Sequence, residues 1–284
     1  MSSAARNRLF DRAFRVLGLL ATLVSLLLLA GFLVDILHAG LGRLSWAFLG
    51  GLPSRFPARA GIYTALLGTV WIGAITALVA VPVGIAAGVY LEEYGAKSRW
   101  AALIEINITN LAGVPSIIYG LLGLEVFVRF AHLGPSVLAA GCTLALLILP
   151  LLIVTTREAL RAVPRPLREA SYALGATRWQ TTWHQVLPAA AGGILTGLIL
   201  ALARAVGETA PLVVIGVLAY VPFTPAGPLD EFSALPVQIF NWIDRPQKAF
   251  GPNAAAAILV LLGITFALNG GAIYLRNRWR RHGR

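Results

Sequence analysis

Long stretches without a single charged residue recur along this chain, and each is long enough to cross a lipid bilayer. The first covers residues 16–34, which as a helix would be roughly 28 Å long, close to the thickness of the hydrocarbon core. A backbone surrounded by lipid must satisfy its hydrogen bonds within its own segment, so such stretches fold as helices. Only 12% of the residues are charged, too few to wet the surface of a soluble domain. We therefore predict an all-α integral membrane protein.

The sequence predicts six transmembrane helices. They cover residues 16–37, 64–91, 100–128, 136–156, 190–220 and 253–275, approximately. The first belongs to an N-terminal segment, 1–60, which also contains an outer loop; residues 61–275 form the core, and 276–284 form a basic tail. A secretory signal peptide is the alternative for the first stretch, but the apolar run is longer than such peptides usually have and no clear cleavage site follows.

Basic residues are distributed unequally between the two sides that this topology defines. With the N-terminus inside, sixteen Arg and Lys residues lie on the cytoplasmic side and six on the other, and such an excess sets membrane orientation. Both termini and the segment 157–188 are therefore expected in the cytoplasm. The net charge of +11 is accounted for in this way, so we predict lipid as a partner and no nucleic acid.

The segment 157–188 (the polar segment) is longer than a connector between two spans needs to be, and it has helix signals of its own. Pro164 and Pro166 interrupt a helix arriving from the preceding span, and proline is well suited to the first position of a new one. Gly175 is the residue type that ends a helix in a left-handed conformation. Thr177 with Gln180 is a capping box, which starts another helix. The pattern predicts two short helices joined at Gly175, forming an elbow.

Motifs for catalysis are missing from the sequence. Neither of the two lysines lies in the Gly-Lys-Ser/Thr context of a phosphate-binding P-loop. The four histidines are scattered without metal-ligand spacing, and the single Cys142 excludes a disulfide within the chain. We predict no catalytic residues, no metal and no cofactor bound by this chain.

Parts of the polar segment resemble a known sequence element. Glu169-Ala170-Ser171, Gly175 and Leu187-Pro188 are similar to the EAA loop of permease subunits in binding-protein-dependent ABC importers. Ser171 in place of a third small residue and Gln185 in place of a common isoleucine depart from that pattern. The resemblance implies that these six residues couple the chain to a separate ATPase, which uses the ATP. The alternative is a solvated basic loop between two spans.

An arginine in a predicted span points to the transported substrate. Arg204 and Glu208 are four residues apart, so on a helix they share a face and can pair. Burying an arginine at mid-membrane costs roughly 2.5–3.5 kcal/mol, and its planar guanidinium suits phosphate oxygens. We predict that Arg204 lines a translocation path and that Glu208 moderates its charge. The alternative is a purely structural ion pair. Glu92 and Glu93 are interpreted as charges at the membrane interface.

The block Arg204–Pro211 resembles the A-type permease subunit of phosphate ABC importers, as do residues 113–116 and 234–240. The resemblance covers most of residues 61–275 and implies a MetI-like permease fold in a bacterial or archaeal plasma membrane. It implies phosphate import as half of a heterodimer with a second permease subunit, together with two ATPase subunits and an extracytoplasmic phosphate-binding protein. The alternatives are the sister C-type subunit, a permease for molybdate or sulfate, a secondary transporter, or a membrane scaffold without transport activity.

Overall fold

The architecture is helical throughout the part of the chain that the structure, a computed structural model, describes: residues 3–95, 99–217 and 220–282. The predicted basic tail 276–284 extends in part beyond these ranges. The α-helices within them are α1 (Ser3–Gly40), α2 (Trp46–Gly50), α3 (Tyr63–Val89), α4 (Arg99–Ala112), α5 (Ser116–Gly123), α6 (Val137–Arg161), α7 (Arg165–Ala173), α8 (Arg178–Thr181), α9 (Leu187–Gly207), α10 (Ala210–Ile215), α11 (Leu235–Asp244) and α12 (Gly251–His282). Three π-helical turns extend or join them: Tyr90–Tyr94, Leu124–Phe130 and Thr182–Val186.

Within the described ranges, five continuous helical stretches are long and apolar enough to span a membrane, and α4 with α5 makes a sixth if the pair is one span. This agrees with the predicted all-α membrane protein. The third predicted span, 100–128, is sharply bent, because α4 and the helix that begins with α5 meet at 105°. Pro115 lacks an N–H and disfavours helical backbone in Val114, so the helix breaks there. The hydroxyl of Tyr119 braces the bend by donating to the carbonyl oxygen of Leu111 at 2.9 Å.

Helix α6 lies at the centre of the bundle, between α3 and α9. In its most apolar window 67% of the residues are buried, against none in α1. Small residues allow the close contacts: a Cβ on Gly84 of α3 or Gly197 of α9 would stand within 2.7 Å of a side chain on α6. Close approach of this kind is how helices associate in lipid. Helix α1 lies outside this core and packs on α12, where Gly40 meets Ala255.

The directions of the helices define the two ends of the bundle. Helices α3 and α6 both finish at the end that carries α7 (the α7 end), and α9 starts there. Helices α6 and α12 begin at the opposite end (the far end), where α1 finishes against the start of α12. The polar segment and the π-helical turn after α3 therefore lie together at the α7 end.

The fifth predicted span, 190–220, differs from the observed helix at both ends. A continuous helical stretch runs from Arg178 to Gly207, so α8 is joined to α9 and the second helix of the elbow is longer than predicted. Pro188 has no N–H to donate and carries a bulky ring, and the π-helical turn before it accommodates both without ending the helix. At the other end Pro211 would clash with the carbonyl of Gly207, four residues earlier, so α9 stops there and α10 begins after the break.

Residues 221–252 contain a buried helix. The chain descends from the far end to Ser233 and returns as α11, whose residues from Leu235 to Ile239 are buried. The backbone of Ser233 packs closely on Gly68 of α3, so that a Cβ on Gly68 would stand 1.9 Å from the carbonyl oxygen of Ser233. Thr69, two turns into α3, accepts the N–H of Leu235 at 2.9 Å. Helix α11 is therefore capped by a side chain of another helix.

Candidate functional site in the membrane and at the coupling elbow

Arg204 and Glu208 do meet, although they do not share a helix. Arg204 lies in the last turn of α9, whereas Glu208 follows the helix end with extended backbone at φ −76° and ψ 129°. The Arg204 Nε atom lies 3.4 Å from the Glu208 Oε1 atom, a long contact. The predicted pair is therefore formed by a helix end and the break after it, and a movement of α10 would change it.

The side chain of Arg204 is only partly covered by the described part of this chain. The buried face of α9 consists of Ala190, Ile194, Gly197, Ala201 and Ala205, and Arg204 lies beside that face with 45% of its side chain exposed. Helix α4 has no buried residue. Within the described part of the chain, Arg204 thus lies on a surface left uncovered, and a path along it would need a second protein to close it.

All three sequence blocks come together near the end of α9. Val114, in the first block, packs against the main hydrophobic core, and Gly120 of α5 approaches Pro211 so closely that a Cβ would stand 2.8 Å from its Cα. A small apolar cleft then joins the second block to the third. Its lining includes Thr69 and Gly73 of α3, Ala205 and Val206 of α9, Leu212 of α10 and Pro236 of α11. Discontinuous helices often form substrate sites in transporters.

At the α7 end, the polar segment folds into the predicted helix–glycine–helix arrangement. Gly175 has φ +83°, a left-handed conformation that glycine adopts at little cost. The capping box of Thr177 and Gln180 is formed in both directions. The hydroxyl of Ser171 on α7 lies 2.9 Å from that of Thr181 on α8, so the two helices are held together.

The six residues of the EAA resemblance do not lie on one surface. Glu169, Ala170, Gly175 and Pro188 are exposed. Leu187 packs against a cluster formed by Leu160, Val163 and Val186 and others, so it anchors the elbow to the bundle. The tip of the elbow carries apolar groups in the open: Leu174 is 90% exposed, and Trp179 and Trp183 stack at 5.5 Å in exposed positions.

A cluster of ion pairs at the α7 end was missed by the sequence analysis. Its members are Glu92 and Glu93 after α3, Glu105 on α4, Arg157 and Arg161 on α6, and Arg168 on α7. Glu92 and Glu93, interpreted from the sequence as charges at the membrane interface, are paired with arginines, and their side chains are only 16% and 9% exposed. Arg161 binds both oxygens of Glu92, at 3.2 and 3.0 Å. The one sequence signal for these ion pairs was the adjacent pair Glu92 and Glu93, in a chain with only twelve acidic residues.

Together, the bent span, the dipping helix α11, the uncovered arginine and the exposed elbow define a membrane transport permease. The comparisons with known proteins agree. Residues 80–280 match the family described as "Binding-protein-dependent transport system inner membrane component". The chain belongs to this family.

Curated relatives extend the match over most of the chain. The chain is 37% identical over 231 residues to "Phosphate transport system permease protein PstA 1" of Mycobacterium tuberculosis, covering 80% of this chain and 73% of that protein. It is 32% identical to the protein PstA of Haemophilus influenzae, named in the same way, with 89% of each covered. It is also 32% identical to the "Probable ABC transporter permease protein YqgI" of Bacillus subtilis, covering 88% and 90%.

Solved structures show the fold. A chain of the MetNI methionine ABC transporter in an inward-facing conformation superimposes with a TM-score of 0.56 at 18% identity, covering 77% of this chain and 94% of that one. At this identity the likeness concerns the fold alone, and it agrees with the predicted MetI-like permease architecture.

Proposed function

We propose that this chain is one of two transmembrane permease subunits of an ATP-driven phosphate importer in a bacterial or archaeal plasma membrane. The substrate is proposed because curated relatives that match most of the chain are named phosphate transport permeases. The single observation that carries the proposal is the partly exposed side chain of Arg204 in the last turn of α9, next to Ala205, which lines the cleft between the second and third blocks. The planar fork of N–H groups on Arg204 fits phosphate oxygens.

In this proposal the second permease subunit covers the surface that bears Arg204, and the two chains enclose the path. Glu208 keeps the guanidinium from holding the anion too tightly, because a dianion bound by an unopposed cation in a low-dielectric site would be released slowly. An extracytoplasmic phosphate-binding protein delivers the substrate at the far end. Two ATPase subunits bind the elbow at the α7 end, which is then cytoplasmic, and ATP binding and hydrolysis there drive alternating access.

The test is uptake of labelled phosphate by proteoliposomes that contain the chain with its permease, ATPase and binding-protein partners. We expect uptake only with ATP and all partners present, and a loss of about tenfold or more in Arg204→Gln with normal assembly, as expected when a charged hydrogen-bond donor of about 1.5–3 kcal/mol is removed. Arg59→Gln is the matched control, because Arg59 is exposed in an outer loop.

Several outcomes would contradict the proposal. Uptake without ATP would indicate a secondary transporter, and uptake of molybdate or sulfate in place of phosphate would indicate another oxyanion. If phosphate uptake is unchanged in Arg204→Gln, the ion pair of Arg204 and Glu208 has a purely structural role.

A further inference from the structure

Arg168 lies on α7, the first helix of the elbow, but its side chain turns toward the membrane bundle. Its Nη2 atom donates to Glu93 Oε1 at 2.8 Å and to the carbonyl oxygen of Leu160 at 2.9 Å. Its Nη1 atom donates to the carbonyl oxygen of Val163 at 2.8 Å. Only 17% of the Arg168 side chain is exposed. One guanidinium therefore satisfies three acceptors.

These acceptors belong to the ends of two spans. Leu160 is in the last turn of α6 and Val163 follows it, while Glu93 is in the π-helical turn that extends α3. Carbonyls at the C-terminal end of a helix attract cations, because the helix dipole is negative there. Arg168 thus fastens α7 to both α3 and α6, which form the centre of the bundle.

A second connection joins the elbow to another helix of the bundle, α9. Through Gly175 and the Ser171–Thr181 contact, α7 is held to α8, which continues into α9 and so to Arg204. A displacement of α7 can therefore reach α9 through the chain itself. It can also reach α6 through the chain, over residues 162–164. It can reach α3 only through side chains, among which the bond from Arg168 to Glu93 is short and nearly buried.

The chemistry of this link makes it sensitive to small changes. Glu93 is 9% exposed, and a buried carboxylate that loses its cation is strongly destabilised. A lysine at position 168 would keep the charge, but its single ammonium cannot reproduce the rigid fork that reaches three acceptors at once. Replacement of Glu93 by glutamine leaves the shape and an acceptor oxygen while removing the charge.

We propose that Arg168 is a positioning residue, which passes the displacement of α7 through Glu93 to α3 and so couples ATP hydrolysis in a partner to movement of this central span. This inference rests on the proposed function, since it assumes that an ATPase moves the elbow. It assigns a role to the buried side of the elbow, in addition to the exposed side that the ATPase would contact.

The experiment measures phosphate uptake and ATP hydrolysis in the same proteoliposomes, with the complete importer. In Glu93→Gln we expect hydrolysis to continue while phosphate transported per ATP falls about tenfold or more, in the range of typical coupling between sites. Arg168→Lys should keep part of the coupling, because the ion pair can still form. Glu125→Gln is the matched control: Glu125 also lies in a π-helical turn and pairs with an arginine, but its side chain is 61% exposed and distant from α7.

A second measurement needs no transport and separates this inference from the proposed function. Hydrogen exchange of the chain in lipid nanodiscs should show faster exchange of the α7 amides in Glu93→Gln and unchanged exchange in α9. If the wild-type importer takes up no phosphate with ATP, the proposed function fails, and the exchange result still tests the link. An unchanged ratio of phosphate to ATP in Glu93→Gln would overturn the inference, as would a parallel loss of both activities or unchanged exchange in α7.

Discussion

The hydroxyl of Thr69 holds helix α11 inside the membrane domain, and its removal is the most direct test of that arrangement. The hydroxyl of Thr69 donates to the carbonyl oxygen of Ala65 at 2.8 Å, and its oxygen accepts the N–H of Leu235 at 2.9 Å. Thr69→Val keeps the shape of the side chain but leaves the N–H of Leu235 without an acceptor. Leu235 is fully buried, so water cannot replace the bond. The unsatisfied group should cost about 1–3 kcal/mol.

That free energy converts into a measurable change in thermal stability. At about 2–4 °C per kcal/mol for chains somewhat smaller than this one, Thr69→Val should lower the Tm in detergent by about 2–12 °C. Thr196→Val is the control, because the hydroxyl of Thr196 bonds only to a carbonyl one turn earlier in its own helix. The assay is a thermal-unfolding scan of the purified protein, with hydrogen exchange at the start of α11 as a local readout. If Thr69→Val is no less stable than Thr196→Val, the inference that Thr69 caps α11 is refuted.

Three further substitutions test other contacts of the fold. Gly197→Leu should lower the stability by about 1–3 kcal/mol or more through overpacking, since a Cβ at Gly197 would stand 2.3 Å from a side-chain oxygen on α6. Gly192→Leu is the control and should be tolerated, because a Cβ at Gly192 would have no atom within 4 Å. The measurements are the purification yield and the Tm of each variant. Gly175→Ala should destabilise the elbow by about 1–2 kcal/mol because its φ is +83°, seen as faster proteolysis of residues 173–178, and an unchanged rate would contradict this. Arg43→Gln should cost about 2–4 kcal/mol, because Arg43 donates to Asn253 and three loop carbonyls; a Tm equal to that of Arg59→Gln would show that these bonds contribute nothing.

Much of the secondary structure follows from local chemistry. The ends of α9 and the bend after α4 lie where Pro211 and Pro115 remove a donor and crowd the preceding turn. The elbow has its left-handed residue at Gly175 and its capping box at Thr177, as predicted. Each of these features depends on residues within about one helical turn, so the sequence contains all the information that they need.

Errors arose where a span was assumed to be one uniform helix. The prediction placed Glu208 on α9 and extended that span to residue 220, although Pro211 ends the helix earlier. It treated α8 as separate, although the π-helical turn carries the helix past Pro188. Apolar composition shows that a stretch can enter lipid, but the hydrogen-bond pattern along it depends on proline positions and on neighbouring helices.

The sequence by itself determined that this chain is a helical membrane protein, where most helices break, and to which family its motifs are similar. Only the tertiary structure decided that the three blocks meet beside Arg204, that α11 returns into the bundle, and that Arg168 pairs with Glu93 across 75 residues. The physical reason is range. Caps, breaks and apolar runs act between near neighbours, whereas ion pairs and buried helix ends depend on which distant surfaces pack together. No local pattern contains that packing.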